Sequence, residues 1–293
     1  MTKKTSDIIA QIIKWVVWAF IFVYSLTLLF LYVWSFIASL RNNLMFGEDV
    51  FGFSGFITFD NYVMVLRNFN VVIYLSSGPY TAYLVELLRN SLIYIVGCAV
   101  AATLAPTIVS YAVSQFNFKM NKVLDAIVIV TMVLPIIGSD AALITMTRTL
   151  GMYDNMLGMF FMKFHFLGFN YLLFKSAFKG VPRSYSESAY IDGASRFRVM
   201  VSINIPMVGN VIAIVFLIQL MGFWADWTTP MIYMPSSPTV AYALYELQFT
   251  NDPNLTPRVV QFAACIMASI PTILIYTFFR DKIMGGMAFG GLK

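Results

Sequence analysis

Val181-Pro182-Arg183-Ser184-Tyr185-Ser186-Glu187-Ser188-Ala189-Tyr190-Ile191-Asp192-Gly193-Ala194-Ser195 is a polar stretch set between two long apolar runs, about 155–178 and 205–226. Its local chemistry reads as an elbow. Pro182 suits the first position of a helix, where a missing N–H costs no intrahelical bond. Glu187, Ser188 and Ala189 continue that helix. Asp192-Gly193 is a turn signal, with glycine supplying a left-handed backbone free of Cβ clashes. A second short helix from about Ser195 is expected to run towards Ile203-Asn204-Ile205-Pro206, where the next apolar run begins. The stretch therefore predicts a helix-turn-helix lying along one face of a membrane.

The flanking runs belong to a set of six, about 15–39, 91–114, 123–147, 155–178, 205–226 and 259–279. Each is long enough to cross a bilayer. Of the 293 residues, 59% are hydrophobic and only 11% charged, whereas a soluble domain carries roughly a quarter charged residues. That excludes an ordinary soluble enzyme, a disordered chain and a secreted disulfide scaffold. The expected fold class is an all-α integral membrane protein, a single transmembrane domain over 1–293. Pro106, Pro135 and Pro271 fall inside the runs and are expected to kink their helices. Cys98 and Cys265 sit in apolar surroundings without ligand spacing and read as buried small hydrophobes. Lys3, Lys4 and Lys14 precede the first run, which is longer than a signal-peptide core and lacks a small-x-small cleavage site. It reads as an uncleaved first span.

The net charge of +5 points to the membrane rather than to nucleic acid, because basic residues gather on cytoplasmic loops. With both termini inside, the inner side holds Lys3, Lys4, Lys14, Lys119, Lys122, Lys175, Lys179, Arg183, Arg196, Arg198, Arg280, Lys282 and Lys293. The outer side keeps five arginines and most acids, among them Glu48, Asp49, Asp60, Glu86, Asp154, Glu246 and Asp252. This places the elbow, 179–204, in the cytoplasm. The loops at about 40–90 and 227–258 lie outside, and Thr58 or Asp60 is expected to cap a short helix in the first of them.

The elbow resembles the EAA loop of ABC importer permeases, whose pattern is Glu-Ala-Ala, three residues, Gly, nine residues, Ile-x-Leu-Pro. Glu187, Ala189, Gly193, Ile203 and Pro206 fall at matching places, with Ser188 for the first alanine and Ile205 for leucine. Asp192-Gly193-Ala194-Ser195 also looks like this family. So do Phe59-Asp60-Asn61-Tyr62, Arg89-Asn90-Ser91-Leu92, Leu134-Pro135, Leu150-Gly151-Met152 and Trp224-Ala225-Asp226. The Gly-rich end, Gly285 to Lys293, is similar to the tail of maltose-type permeases but lacks their usual Thr-Ala-Gly core.

The resemblance implies a permease subunit of the plasma membrane for a carbohydrate, or for another solute such as glycerol phosphate. It implies that Glu187, Ser188, Ala189, Asp192, Gly193, Ala194, Ile203 and Pro206 meet a cytoplasmic ATPase, and that Gly290 and Gly291 enter a gap between ATPase subunits. Two such ATPases, which bind ATP and Mg, a second homologous permease and an extracytoplasmic solute-binding protein are the implied partners. The chain itself has no Gly-x-x-x-x-Gly-Lys-[Ser/Thr] phosphate loop, since Lys175-Ser176 lacks the preceding glycines. No cofactor and no enzymatic activity are expected of it. A secondary transporter would need inverted repeats and discontinuous helices around central ion sites, and a membrane enzyme a clustered set of His, Cys or acids. Neither pattern is legible.

Within the expected spans, Asp140 and Lys163 are costly ionisable groups that call for a cavity or a partner. On consecutive antiparallel spans they sit at similar depth, so a pair between them is expected; the alternative is Lys163 snorkelling outward with Asp140 facing water. Trp224 and Trp227 read either as an interfacial belt or as sugar-stacking surfaces along the translocation path. His165 has no metal-ligand neighbours in the sequence. The orientation is directly testable: a reporter fused after Lys293 is expected in the cytoplasm and one inserted near Glu48 outside. Both reporters on the same side would overturn the six-span arrangement.

Overall fold

The computed structural model describes residues 3–52, 57–75, 78–134 and 138–289, and most of these residues are helical. The chain forms two compact units, Met1–Phe69 with Leu247–Ser269 and Asn70–Glu246 with Ile270–Lys293.

In the first unit the apolar run becomes the helix Lys3–Ser39, with the face of its apolar stretch open to its surroundings. A lipid-facing helix has no need of internal partners for its side chains. Its end is tied down by polar groups. Arg41 is buried and donates to the carbonyls of Asp49 at 2.7 Å and Met45 at 3.0 Å. The Asn61 amide donates to the carbonyls of Ser39 at 2.7 Å and Arg41 at 2.9 Å. The bond to Ser39 satisfies a carbonyl that the helix leaves without an intrahelical donor, and the others tie the turn that follows. The expected short helix is Asp60–Asn68, but neither Thr58 nor Asp60 caps it: Phe59 stands at the cap position with no side-chain bond, and Thr58 Oγ1 accepts from the Asp60 amide at 3.1 Å. Trp34 packs edge-on against Phe262, with ring centroids 5.3 Å apart.

The second unit opens with an antiparallel hairpin, Asn70–Leu75 and Gly78–Tyr83, pairing Asn70 with Tyr83 and Leu75 with Gly78. The sequence reading did not anticipate it, although Val71 and Ile73 are buried while Val72 and Tyr74 are exposed, the period of two that a half-buried strand requires. The hairpin leads into the helix Leu84–Gln115, which runs uninterrupted through Pro106. This helix is the spine of the unit. It packs against the helices Met156–Lys163, Phe169–Lys179 and Gly209–Trp224. Tyr94, Cys98, Tyr171, Phe174 and Phe178 are fully buried along these contacts, whereas Cys265 is exposed.

Two expected spans are each divided. The run at 123–147 forms Asn121–Val133 and Asp140–Thr149, and the run at 155–178 forms Met156–Lys163 and Phe169–Lys179. The breaks have local causes. Leu134, directly before a proline, takes an extended ψ of 113°, as the clash with a following proline ring demands. Gly138 and Gly168 adopt φ of +78° and +131°, which no L-residue helix continues through. Pro135 itself lies outside the described residues, as do Gly290 and Gly291. Among the described residues three helices are long and apolar enough to cross a membrane singly, and Arg196–Met207 with Gly209–Trp224 makes a fourth, bent by 74°.

Gly158 shows how tightly this unit closes. A Cβ there would lie 2.2 Å from the backbone oxygen of Met152, and backbone yields less readily than a side chain. Gly158→Ala is therefore expected to lower stability by about 1–3 kcal/mol, read as an earlier thermal unfolding transition in detergent. An unchanged transition would show that the Met152 turn moves freely.

Candidate functional site

The elbow forms as two helices at a sharp corner. The first, Arg183–Ile191, starts directly after Pro182, which stands one position ahead of the helix in an extended conformation. It ends at Asp192, and Gly193 follows with φ +81°. The left-handed residue folds the chain back, so that the amides of Asp192 and Ala194 reach the carbonyls of Ser188 at 3.0 Å and Ala189 at 2.9 Å. These bonds close the helix end. The second helix, Arg196–Val199, is capped by Ser195, whose hydroxyl accepts from the Arg198 amide at 3.3 Å.

A π-helical turn, Met200–Asn204, carries the chain into Ile205–Met207 and then into Gly209–Trp224. Pro206 offers no backbone N–H, and together with the wide turn it accounts for the 74° bend. The corner is cross-tied by a buried amide. Asn204 Nδ2 donates to Ser186 Oγ at 3.0 Å and to the Val199 carbonyl at 3.3 Å. Val199 is fully buried beneath it. Arg196 lies over the Phe116 ring, 5.5 Å from its centroid, which fastens the second helix to the end of the spine helix.

On this rigid base the elbow presents an open surface. Glu187, Ser188, Asp192, Gly193 and Pro206 are exposed, while Ala189, Ala194 and Ile203 are partly covered. The sequence reading missed the strongest features of that surface. Ile191 is 86% exposed and Phe197 71%, in a loop where apolar groups gain nothing from water. Two large apolar residues on a polar loop were the available signal.

The ionisable groups of the expected spans fall into separate clusters. Lys163 lies 4.0 Å from Asp226 Oδ2 and donates to Thr229 Oγ1 at 3.3 Å. Tyr94 donates to the same Asp226 oxygen at 2.8 Å, and the Thr229 amide to the other at 3.0 Å. Asp140 instead accepts from the Tyr233 hydroxyl at 3.4 Å. The expected pair of Asp140 with Lys163 does not form: Asp226, after the fifth apolar run, takes the lysine. Trp227 is stacked on Tyr245, with centroids 3.8 Å apart and planes 7° apart, so one face of its ring is covered. Trp224 is partly buried against the cluster around Tyr94, Cys98 and Met159. Among the described residues there is no group of three or more metal-ligating side chains.

The Lys163–Asp226 pair has a measurable signature. In a thermal-stability cycle, Lys163→Met and Asp226→Asn are expected to couple by about 1 kcal/mol. Lys163→Met with Asp140→Asn is expected to be additive. The opposite pattern would restore the Asp140 pair.

The family described as binding-protein-dependent transport system inner membrane component matches residues 102–284, which include the spine helix from its middle, both divided runs and the elbow. The maltodextrin transport system permease protein MdxG of Bacillus subtilis (strain 168) is 24% identical over 208 residues, 70% of this chain and 74% of its own. The galactooligosaccharides transport system permease protein GanQ of the same organism is 26% identical over 220 residues, 74% and 76% of the two chains. A chain of a bacterial ABC transporter involved in the import of the acidic polysaccharide alginate superposes with a TM-score of 0.71 at 20% identity, over 96% of this chain and 98% of that one. The fold is shared with that chain over nearly its full length. With more than half of its residues inside the matching region, the chain belongs to the inner-membrane permease components of binding-protein-dependent transport systems.

Proposed function

We propose that this permease carries a carbohydrate inward as one half of an ATP-driven importer, with both termini in the cytoplasm and the elbow as the contact to an ATPase. The relatives named for maltodextrin and galactooligosaccharides support the solute class. The geometry of 183–206 supports the contact. An exposed corner carrying Glu187, Ile191, Asp192 and Phe197 stands on a buried anchor of Ser186, Val199 and Asn204. A push on the corner therefore passes through the Asn204 tie and the wide turn into the bent Gly209–Trp224 helix instead of being absorbed locally. The apolar tips Ile191 and Phe197 would be covered by the partner, which favours association.

In this reading the divided runs at 121–149 and 156–179 count as the third and fourth of six crossings. Breaks are tolerated at membrane depth where they face protein or a water-filled path. ATP and Mg belong to two cytoplasmic ATPase subunits, a second permease completes the channel, and solute arrives from an extracytoplasmic binding protein. The tail with Gly290 and Gly291 reaches between the ATPases.

Gly193 tests the elbow. A β-branched side chain in its left-handed conformation costs about 1–2 kcal/mol, so Gly193→Val is expected to lower solute-stimulated ATP hydrolysis of the reconstituted importer by about fivefold to thirtyfold. Membrane insertion should be unaffected. Gly193→Asn, which tolerates positive φ, should retain most of the activity. Full coupling in the valine variant would remove the elbow from the ATPase contact.

A further inference from the structure

Beside the elbow the second unit holds a cavity of about 440 Å³, within the range of small-molecule sites. Its polar wall carries three cations, Lys175, Lys179 and Arg183, against one carboxylate, Asp125, and Phe178 and Val181 line its apolar side. The carboxylate is spoken for. Lys175 holds both of its oxygens, and the Tyr171 hydroxyl donates to Oδ1 at 2.9 Å. Asp125 and Lys175 thus cancel, which leaves the charges of Lys179 and Arg183 in excess.

Among the described residues neither forms an ion pair, although Lys179 also acts on Asp125 through space. Among the described residues those pairs are Arg89 with Glu86, Lys163 with Asp226, Lys175 with Asp125 and Arg280 with Asp281. A third positive element adds to them. The segment Val181 to Arg183 that borders the cavity is the start of the nine-residue helix Arg183–Ile191, whose first turn has no acidic residue and no capping side chain. The positive end of a helix without a cap draws an anion to its amides. Two surplus cations, a helix start and a neutralised carboxylate converge on one half-open space.

We propose that this cavity binds a phosphate-bearing anion, held by Lys179 and by Arg183 at the start of the elbow helix. Phosphate suits the pair because Arg183 can offer two parallel donors to its oxygens while Lys179 adds a point charge beside them. A phosphodiester headgroup of an anionic membrane lipid and free phosphate both present this chemistry. A basic cavity between helices at a membrane face suits the first. The site touches the root of the elbow, so an anion there would stiffen the joint between the Phe169–Lys179 helix and the corner. The leaflet concerned rests on the orientation proposed above; binding in detergent does not, so loss of ligand and loss of ATPase coupling report separately.

The test uses the full chain purified in detergent. Native mass spectrometry with added phosphatidylglycerol or phosphatidylcholine forms one arm, and thermal stability in sodium phosphate against sodium chloride at matched ionic strength the other. Phosphatidylglycerol is expected to be retained in preference to phosphatidylcholine. Lys179→Gln with Arg183→Gln should lower that retention about thirtyfold, since each basic group near an anionic headgroup contributes about 1 kcal/mol. Lys14→Gln with Arg280→Gln, which removes two exposed cations that do not line the cavity, should leave it unchanged, and Arg183→Lys should recover part of it. Stabilisation by inorganic phosphate that disappears in the Lys179 and Arg183 variant, without lipid retention, would identify free phosphate as the ligand. Absence of both effects would overturn the site, as would equal loss in the Lys14 and Arg280 control. The first result would leave the cavity to an acidic side chain of a partner protein.

Discussion

A bilayer offers no water to an unpaired amide, so any departure from helix inside it must be repaired by the protein itself. The second unit follows this rule at the described break within the fourth apolar run. At 164–168 the amides of Phe164 and His165 turn back to the carbonyls of Phe161 at 3.1 Å and Lys163 at 3.0 Å. In the turn between the third and fourth runs, too, the amides of Met152 and Tyr153 share the Thr147 carbonyl at 2.8 and 3.1 Å, and the Asp154 amide reaches the Tyr233 carbonyl at 2.7 Å. Side chains complete the repair. Ser110 donates to the Tyr171 carbonyl at 2.8 Å and Ser91 Oγ accepts from the Val240 amide at 2.8 Å, both from buried positions on the spine helix.

That economy explains the character of the elbow. Outside the apolar runs water is available, and the chain can turn sharply and show polar and apolar groups alike. At its root, the Asn204 amide is buried and must be satisfied, which it achieves by binding Ser186 and Val199 together. The result is a mobile-looking sequence with a stiff foundation. The proposed contact with an ATPase needs that combination, since a flexible root would dissipate displacement as local rearrangement.

The charged groups follow the same logic. Asp226 gathers Tyr94, Thr229 and Lys163 around its two oxygens, so a costly carboxylate is surrounded by donors from three parts of the chain. Asp125 is treated similarly by Lys175 and Tyr171. Each network joins runs far apart in sequence, which makes the partner of any one charge invisible in a local reading. Depth alone suggested Asp140 for Lys163. The facing of the helices, and the return of the chain after the fifth apolar run, chose Asp226.

Membrane residence, helical class and the elbow were legible in residue order because each depends on local chemistry. Apolar length reports the bilayer, Asp192-Gly193 reports a left-handed corner, and Pro206 reports a break in the helix ladder. The spacing of Glu187, Gly193 and Pro206 was enough to suggest the family. The hairpin at 70–83 was also written locally, in the alternation of Val71 to Tyr74, but the surrounding apolar content masked a period of two. Tertiary structure alone decided which charges meet, which face of Trp227 is covered, and that Lys179 and Arg183 stand together over a neutralised Asp125. Such pairings depend on helix rotation and crossing, and these are set by packing at places such as Gly158, where one absent Cβ lets two backbones touch.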